Sequence, residues 1–224
     1  MTKLLSTAID EARAEIVRVG TSLFARGYVH AGAGNLSARI GDDYLITPTD
    51  AALGFLDSDQ LALVDADGEQ IAGDRASKTL ALHQRIYAAD PAARFVVHTH
   101  STHLVALTLS GVWNPDDVLP PLTPYYVMKV GHVPLIPYHR PGDPRVADLV
   151  TARIADRAAR GTPIRAVLLD RLGPVVWGPD AATATAVLEE LEETARLWML
   201  TDRRPQPLHA SALDELRSTF DAAW

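Results

Sequence analysis

Two histidines one residue apart, His98 and His100, follow the apolar run Phe95-Val96-Val97. Alternate side chains of a strand face the same way, so an HxH pair at a strand end projects both imidazoles into one space. Neutral imidazole suits zinc and other first-row divalent ions, but a catalytic zinc usually takes three protein ligands, so a third donor is required. The plainer alternative is two hydrogen-bonded histidines at the end of a buried strand. His103 falls at the start of the next helix, on another face, where it serves packing or support; His83 is expected on a helix near the core. A second feature is Gly32 to Ser37, GAGNLS, whose backbone N–H groups and Asn side chain can cradle an anion, although such a turn is often only a turn. It matches neither GxxxxGK[ST] nor GxGxxG, so nucleotide binding is not indicated. Ser77 and Lys78 sit where a loop enters a helix, where free amides, the helix dipole and a full positive charge favour anions. The alternative there is a capping serine beside a solvent lysine.

These residues must be positioned by the elements around them. Ile9, Ala12, Ile16, Val19, Leu23 and Phe24 recur at the spacing of an amphipathic helix over 6–26, ending near Gly27. The glycine-rich span then leads into a strand-like IGDDYLITPT, and LALVDADGEQI at 61–71 predicts a hairpin about its Asp-Gly turn. A helix is expected from Ser77 through Tyr87, stopped by Asp90-Pro91, followed by a buried strand into His98 and a helix capped by Ser101. The proline-rich stretch 112–144 excludes long helices and predicts short strands and loops. Helical spacing returns over 145–161, AVLLDRLGPVVWG predicts two strands around Gly173-Pro174, and 181–200 predicts a long helix. No pattern assigns the tail. Without a repeat or linker, the order suggests one domain over 1–224, α/β in class, with a central, mostly antiparallel sheet between helical layers in an α/β/α arrangement.

Composition narrows the possibilities. Of 224 residues, 47 % are hydrophobic and 22 % charged, as in a folded globular protein of one large domain. The absence of cysteine excludes disulfides, thiolate metal sites and a cysteine nucleophile, leaving any metal to histidine, carboxylate or water. The N-terminal stretch carries charges where a signal peptide needs an apolar run, and no window suits a membrane span, so a cytoplasmic protein without a membrane partner is expected. A net charge of −7 argues against broad nucleic-acid binding.

GNLS at 34–37, ITPT at 46–49, ASKTLALH at 76–83 and VVHTHSTHLVAL at 96–107, in this order, resemble the class II aldolase/adducin family. PLTPYYVMKVGHVPLIPYHRPGDP at 121–144, LLDRLGPVVWGP at 168–179 and LEELEETARL at 188–197 resemble its branch of 3-oxo-tetronate 4-phosphate decarboxylases. The resemblance implies an α/β/α fold, a divalent metal, usually zinc, a phosphorylated sugar acid as substrate and a homotetramer with sites at subunit interfaces. By motif position it implies that Gly34 and Asn35 bind the phosphate with help from the Thr47 to Thr49 loop and Ser77, that His98 and His100 hold the metal, and that Tyr125 or Tyr126 is an interface tyrosine reaching a neighbouring site. The chemistry itself adds Lys78 as a group that could orient the carboxylate and leaves the proton to come from water, Tyr125, Tyr126 or a histidine. Three positions depart from the family pattern. Thr79 stands where a glutamate is common, Arg171-Leu172-Gly173 where an NHG histidine is common, and Asp50 where a phosphate loop ends in glycine. His132 and His139 could replace the missing imidazole, although surface or interface histidines need no such role. Aldol cleavage needs a general base such as the missing glutamate, whereas loss of CO₂ from a 3-oxo acid generates the enolate by itself. A decarboxylase is therefore expected, with an aldolase or a non-catalytic adducin-like binding module as alternatives.

Overall fold

The computed structural model describes residues 3–224. Two compact units are present, one of Met1–His100 with Trp177–Ala184, the other of Ser101–Val176 with Thr185–Trp224. Among the described residues no helix is long and apolar enough to cross a membrane.

The first unit opens with α1 (Lys3–Ala25), whose stripe of Ile9, Ile16, Val19 and Leu23 is buried as the periodicity requires. Strands β1 (Asn35–Ile40), β2 (Asp43–Ile46), β3 (Ala62–Val64) and β4 (Gln70–Ala72) follow as an antiparallel meander, β3 and β4 joined through the expected Asp-Gly turn. Helix α2 (Leu80–Ala89) then leads into β5 (Phe95–His98), which pairs antiparallel with the other side of β1. Leu36, Leu45, Ile46, Val96 and Val97 are each fully buried, and since successive residues of a strand face opposite ways, both faces of these strands are covered. Arg94 donates its N–H to the carbonyl of Gly178 at 2.8 Å, tying the entry of β5 to the chain after Trp177.

In the second unit α3 (Thr102–Ser110) precedes an irregular stretch containing one five-residue π-helix, Tyr126–Val130, and the short strand β6 (Leu135–Ile136). Helix α4 (Arg145–Ala159) follows, then β7 (Ala166–Leu169) and β8 (Gly173–Gly178), whose last two residues belong to the first unit. β6 pairs parallel with β7, and β7 antiparallel with β8. Helices α5 (Ala181–Leu200) and α6 (Ala210–Phe220) complete the chain. Among the described residues β1–β2, β1–β5, β2–β3, β3–β4 and β7–β8 pair antiparallel and β6–β7 parallel, so the α/β class with a mostly antiparallel sheet holds.

Three local expectations are corrected, and the tail that no pattern assigns takes a definite form. The turn between β7 and β8 is Asp170–Leu172, with Arg171 left-handed at φ 62°, and Pro174 lies inside β8 opposite Leu168. Helix α2 begins at Leu80 instead of Ser77, because the Ser77 N–H is drawn to the carbonyl of Thr47 at 3.2 Å. Ser101 makes no side-chain capping bond to α3; the carboxylate of Glu192 does that work, accepting the N–H groups of His103 at 2.9 Å and Leu104 at 3.1 Å. The tail is helical, and Leu216 and Ala222 pack against Val127.

Candidate active site in the first unit

Asn35 opens β1 and stands directly opposite His98, the last residue of β5. The ladder stops there because Gly34 is left-handed at φ 85°, and a Cβ at that position would lie 2.7 Å from the His98 carbonyl oxygen. Gly32 is constrained in the same way, since a Cβ there would lie 2.7 Å from the carbonyl oxygen of Asp50. The glycines of this loop therefore permit close backbone approach to β5 on one side and to the turn after Thr49 on the other. Asn35 is 6 % exposed, and its Oδ1 has no hydrogen-bond partner. The orphaned oxygen is an acceptor, so a bound group would complete it by donating, as a substrate hydroxyl can.

The expected phosphate residues are partly engaged in building the loop. Thr47 is fully buried; its hydroxyl accepts the Leu36 N–H at 3.2 Å. Thr49 donates its hydroxyl to the carbonyl of Ala76 at 2.8 Å and its N–H to that of Arg75 at 2.9 Å, and Pro48 bridges to Ala76. These bonds strap the threonine loop to the segment carrying Ser77 and Lys78. Ser77 Oγ lies 2.9 Å from the hydroxyl of Thr79, and Lys78 is exposed. Asp50 is exposed and left-handed at φ 58°, a conformation that glycine adopts freely and aspartate tolerates.

His98 is buried, and His100, two residues on, lies beyond the end of β5. The pair is therefore not held by strand alternation as expected, because β1 offers no partner past Asn35. The rings meet all the same, with centroids 5.1 Å apart at 62°. Two imidazoles on one tetrahedral ion, with bonds of 2.0–2.1 Å, place their centroids about 5 Å apart, so the pair fits two corners of such a site. Burial, followed by the neighbouring His30, lowers the pKa of His100 and favours the neutral ring a metal needs. Among the described residues no three His, Asp or Glu side chains yet stand in a metal-binding group. Beneath the pair, His83 is fully buried; its Nδ1 is 2.7 Å from Ser37 Oγ, which is itself 2.7 Å from the Tyr87 hydroxyl. Burial first, and His98 second, push the His83 pKa down to about 3.

The remaining candidates lie in the second unit. Tyr125 is 63 % exposed, whereas Tyr126 is fully buried with its ring 5.7 Å from that of Trp224. Burial, with Asp117 adding to it, pushes the Tyr126 phenol pKa well above its usual value. His103 Nδ1 lies 2.8 Å from Glu192 Oε1. His132 is engaged by Asp117 at 2.7 Å and stacks on Trp224, and His139 Nδ1 is 2.8 Å from the carbonyl of Pro137. Sequence reasoning missed His30, whose ring stands 6.4 Å from that of His100. Its place just before the GAGN loop was the available signal.

Known proteins share this arrangement of strands and helices. The 3-oxo-tetronate 4-phosphate decarboxylase of Cupriavidus necator is 59 % identical over 220 residues, covering 96 % of this chain and 98 % of that protein. The enzyme of the same name from Escherichia coli K12 is 43 % identical, covering 92 % of this chain and 95 % of its own. The crystal structure of YgbL from Klebsiella pneumoniae superimposes with a TM-score of 0.84 at 44 % identity, covering 94 % of this chain and 99 % of that one. The Class II Aldolase and Adducin N-terminal domain model matches residues 14–199. With a match over most of its length, the chain belongs to the class II aldolase and adducin family.

Proposed function

We propose that the chain is a metal-dependent carboxy-lyase that converts a 3-oxo-tetronate 4-phosphate to dihydroxyacetone phosphate and CO₂, and that 1–224 works as one class II aldolase/adducin-like domain. The single observation that carries the chemistry is the register of Asn35 on His98, which sets a glycine-lined anion loop beside two adjoining imidazoles. The near-full-length likeness to named decarboxylases supports the substrate.

His98 and His100 would hold a divalent ion, with zinc the proposed one, which when bound supplies electrostatic stabilisation of the charge that develops at the substrate's 3-oxo oxygen. The chain's own groups do the rest. Gly34 and Asn35 bind the phosphate, and Ser77 and the exposed Lys78 add a hydroxyl and a charge at its rim. Thr47 and Thr49 contribute by building the strap that shapes the loop, since their N–H groups and hydroxyls already serve it. This holds the substrate by its phosphate end, leaving the carboxylate loosely gripped, as differential stabilisation of the transition state requires. The C1–C2 bond then breaks, its electron pair passes toward the 3-oxo group, CO₂ departs and C2 takes up a proton. Tyr125 is the proposed donor, being exposed; Tyr126 is fully buried, and its burial holds its proton. An exposed Tyr125 suits a homotetramer in which it reaches a neighbouring copy's site. Thr79 offers no carboxylate for aldol chemistry, which favours decarboxylation. A cytoplasmic location is proposed on the same footing.

The test is release of CO₂ from 3-oxo-tetronate 4-phosphate by protein loaded with zinc or manganese. Dihydroxyacetone phosphate should accumulate, and His98→Ala should abolish turnover. No CO₂ under conditions where an authentic relative works, or an aldehyde as product, refutes the proposal.

A further inference from the structure

We infer that His30 is the third imidazole of the metal site, a role that rests on the metal-dependent reading of His98 and His100. The pair alone supplies one donor fewer than a catalytic zinc usually takes from protein. His83 is fully buried, with Nδ1 on Ser37 and Nε2 without a partner, and His103 is held by Glu192. His30 is different. It follows the buried Val29, its backbone is fixed by the Ala33 N–H donating to its carbonyl at 3.0 Å, and its side chain is exposed. Its ring already stands edge-on to His100, with centroids 6.4 Å apart at 76°.

Ligands sharing a tetrahedral ion need centroids about 5 Å apart, so His30 must approach by roughly 1 Å. That is within the reach of side-chain rotation at an exposed position and asks nothing of the core. Among the described residues no three His, Asp or Glu side chains stand in a metal-binding group, so His30 would have to move before it could ligate. The loop from His30 to Asn35 then has two ends with two duties, a nitrogen for the metal at its start and an anion cradle at its finish.

Cobalt(II) provides a readout independent of turnover. Purified full-length wild-type protein, His30→Ala, His30→Cys and His98→Ala are each titrated with Co²⁺ and followed by visible and near-ultraviolet absorption, with circular dichroism to verify folding. His30→Ala is expected to bind Co²⁺ roughly tenfold or more weakly than wild type. Since the chain has no cysteine, a thiolate-to-cobalt charge-transfer band in His30→Cys can arise only from position 30. That band is expected. Its absence, or unchanged affinity in His30→Ala, overturns direct ligation by His30 while leaving the pair intact if His98→Ala loses binding. Failure of wild type to bind Co²⁺ at all removes the metal reading and this inference together.

Discussion

Acid should find the protein's weak point at His83. The imidazole is fully buried and its pKa is pushed down to about 3, against 6.5 when exposed to water. The folded state thus prefers the neutral ring, and below pH 6.5 the unfolded chain takes up a proton that the folded chain refuses. Stability from this residue is complete above pH 6.5 and declines as pH falls toward 3. At pH 5 the loss is about 2 kcal/mol, growing to about 4 kcal/mol near pH 3. His83→Gln removes the titrating group; it costs packing at every pH but not this pH-dependent part. Urea unfolding of both proteins from pH 7.5 to 5, with chelator present so that no metal competes for protons, should show the stability gap narrowing by about 2 kcal/mol. Carboxylates and the other histidines are common to both proteins and largely cancel in the difference. A gap that stays constant across that range would refute the assignment of a buried, neutral His83.

Gly34→Ala should destabilise by about 2 kcal/mol or more and weaken phosphate binding, since the new Cβ meets both a left-handed backbone and the His98 carbonyl; thermal melts and phosphate titration check this. Glu192→Ala should cost about 2–4 kcal/mol by stripping two N–H groups of α3 of their acceptor, with Glu192→Gln retaining part of that, as read by urea midpoints. Asp117→Ala should cost about 2 kcal/mol, because Asp117 holds His132 Nδ1 and lies 3.4 Å from the Arg157 guanidinium; fluorescence of the nearby Trp224 reports the change.

Much of the fold could be read from local pattern. The stripe of α1 and the helical spacing of α4 and α5 are repeated many times over, and the Asp-Gly turn between β3 and β4 is set by backbone preference alone. The turn before β8 falls earlier than Gly173-Pro174 because proline and glycine signal a bend wherever they occur, while here Pro174 stands inside the strand opposite Leu168. Capping of α3 was hidden for another reason. Glu192 is 89 residues from His103, and no spacing rule links them. At the site, the HxH motif and the glycine loop were legible as chemistry, but their mutual placement depends on the pairing of β1 with β5. The same pairing explains why His30 was overlooked, since it stands apart from the HxH motif in sequence and meets His100 only in space.

The pairing of Asn35 with His98 has a further consequence for selectivity. Antiparallel partners sit about 4.5–5.5 Å apart, a spacing fixed by the main chain and insensitive to side-chain rotation. On the proposed chemistry, the molecule is gauged between these two strands like a rod between calipers. Analogues lengthened or shortened by one carbon would be turned away by geometry, and no exchange of nearby side chains would readily readmit them.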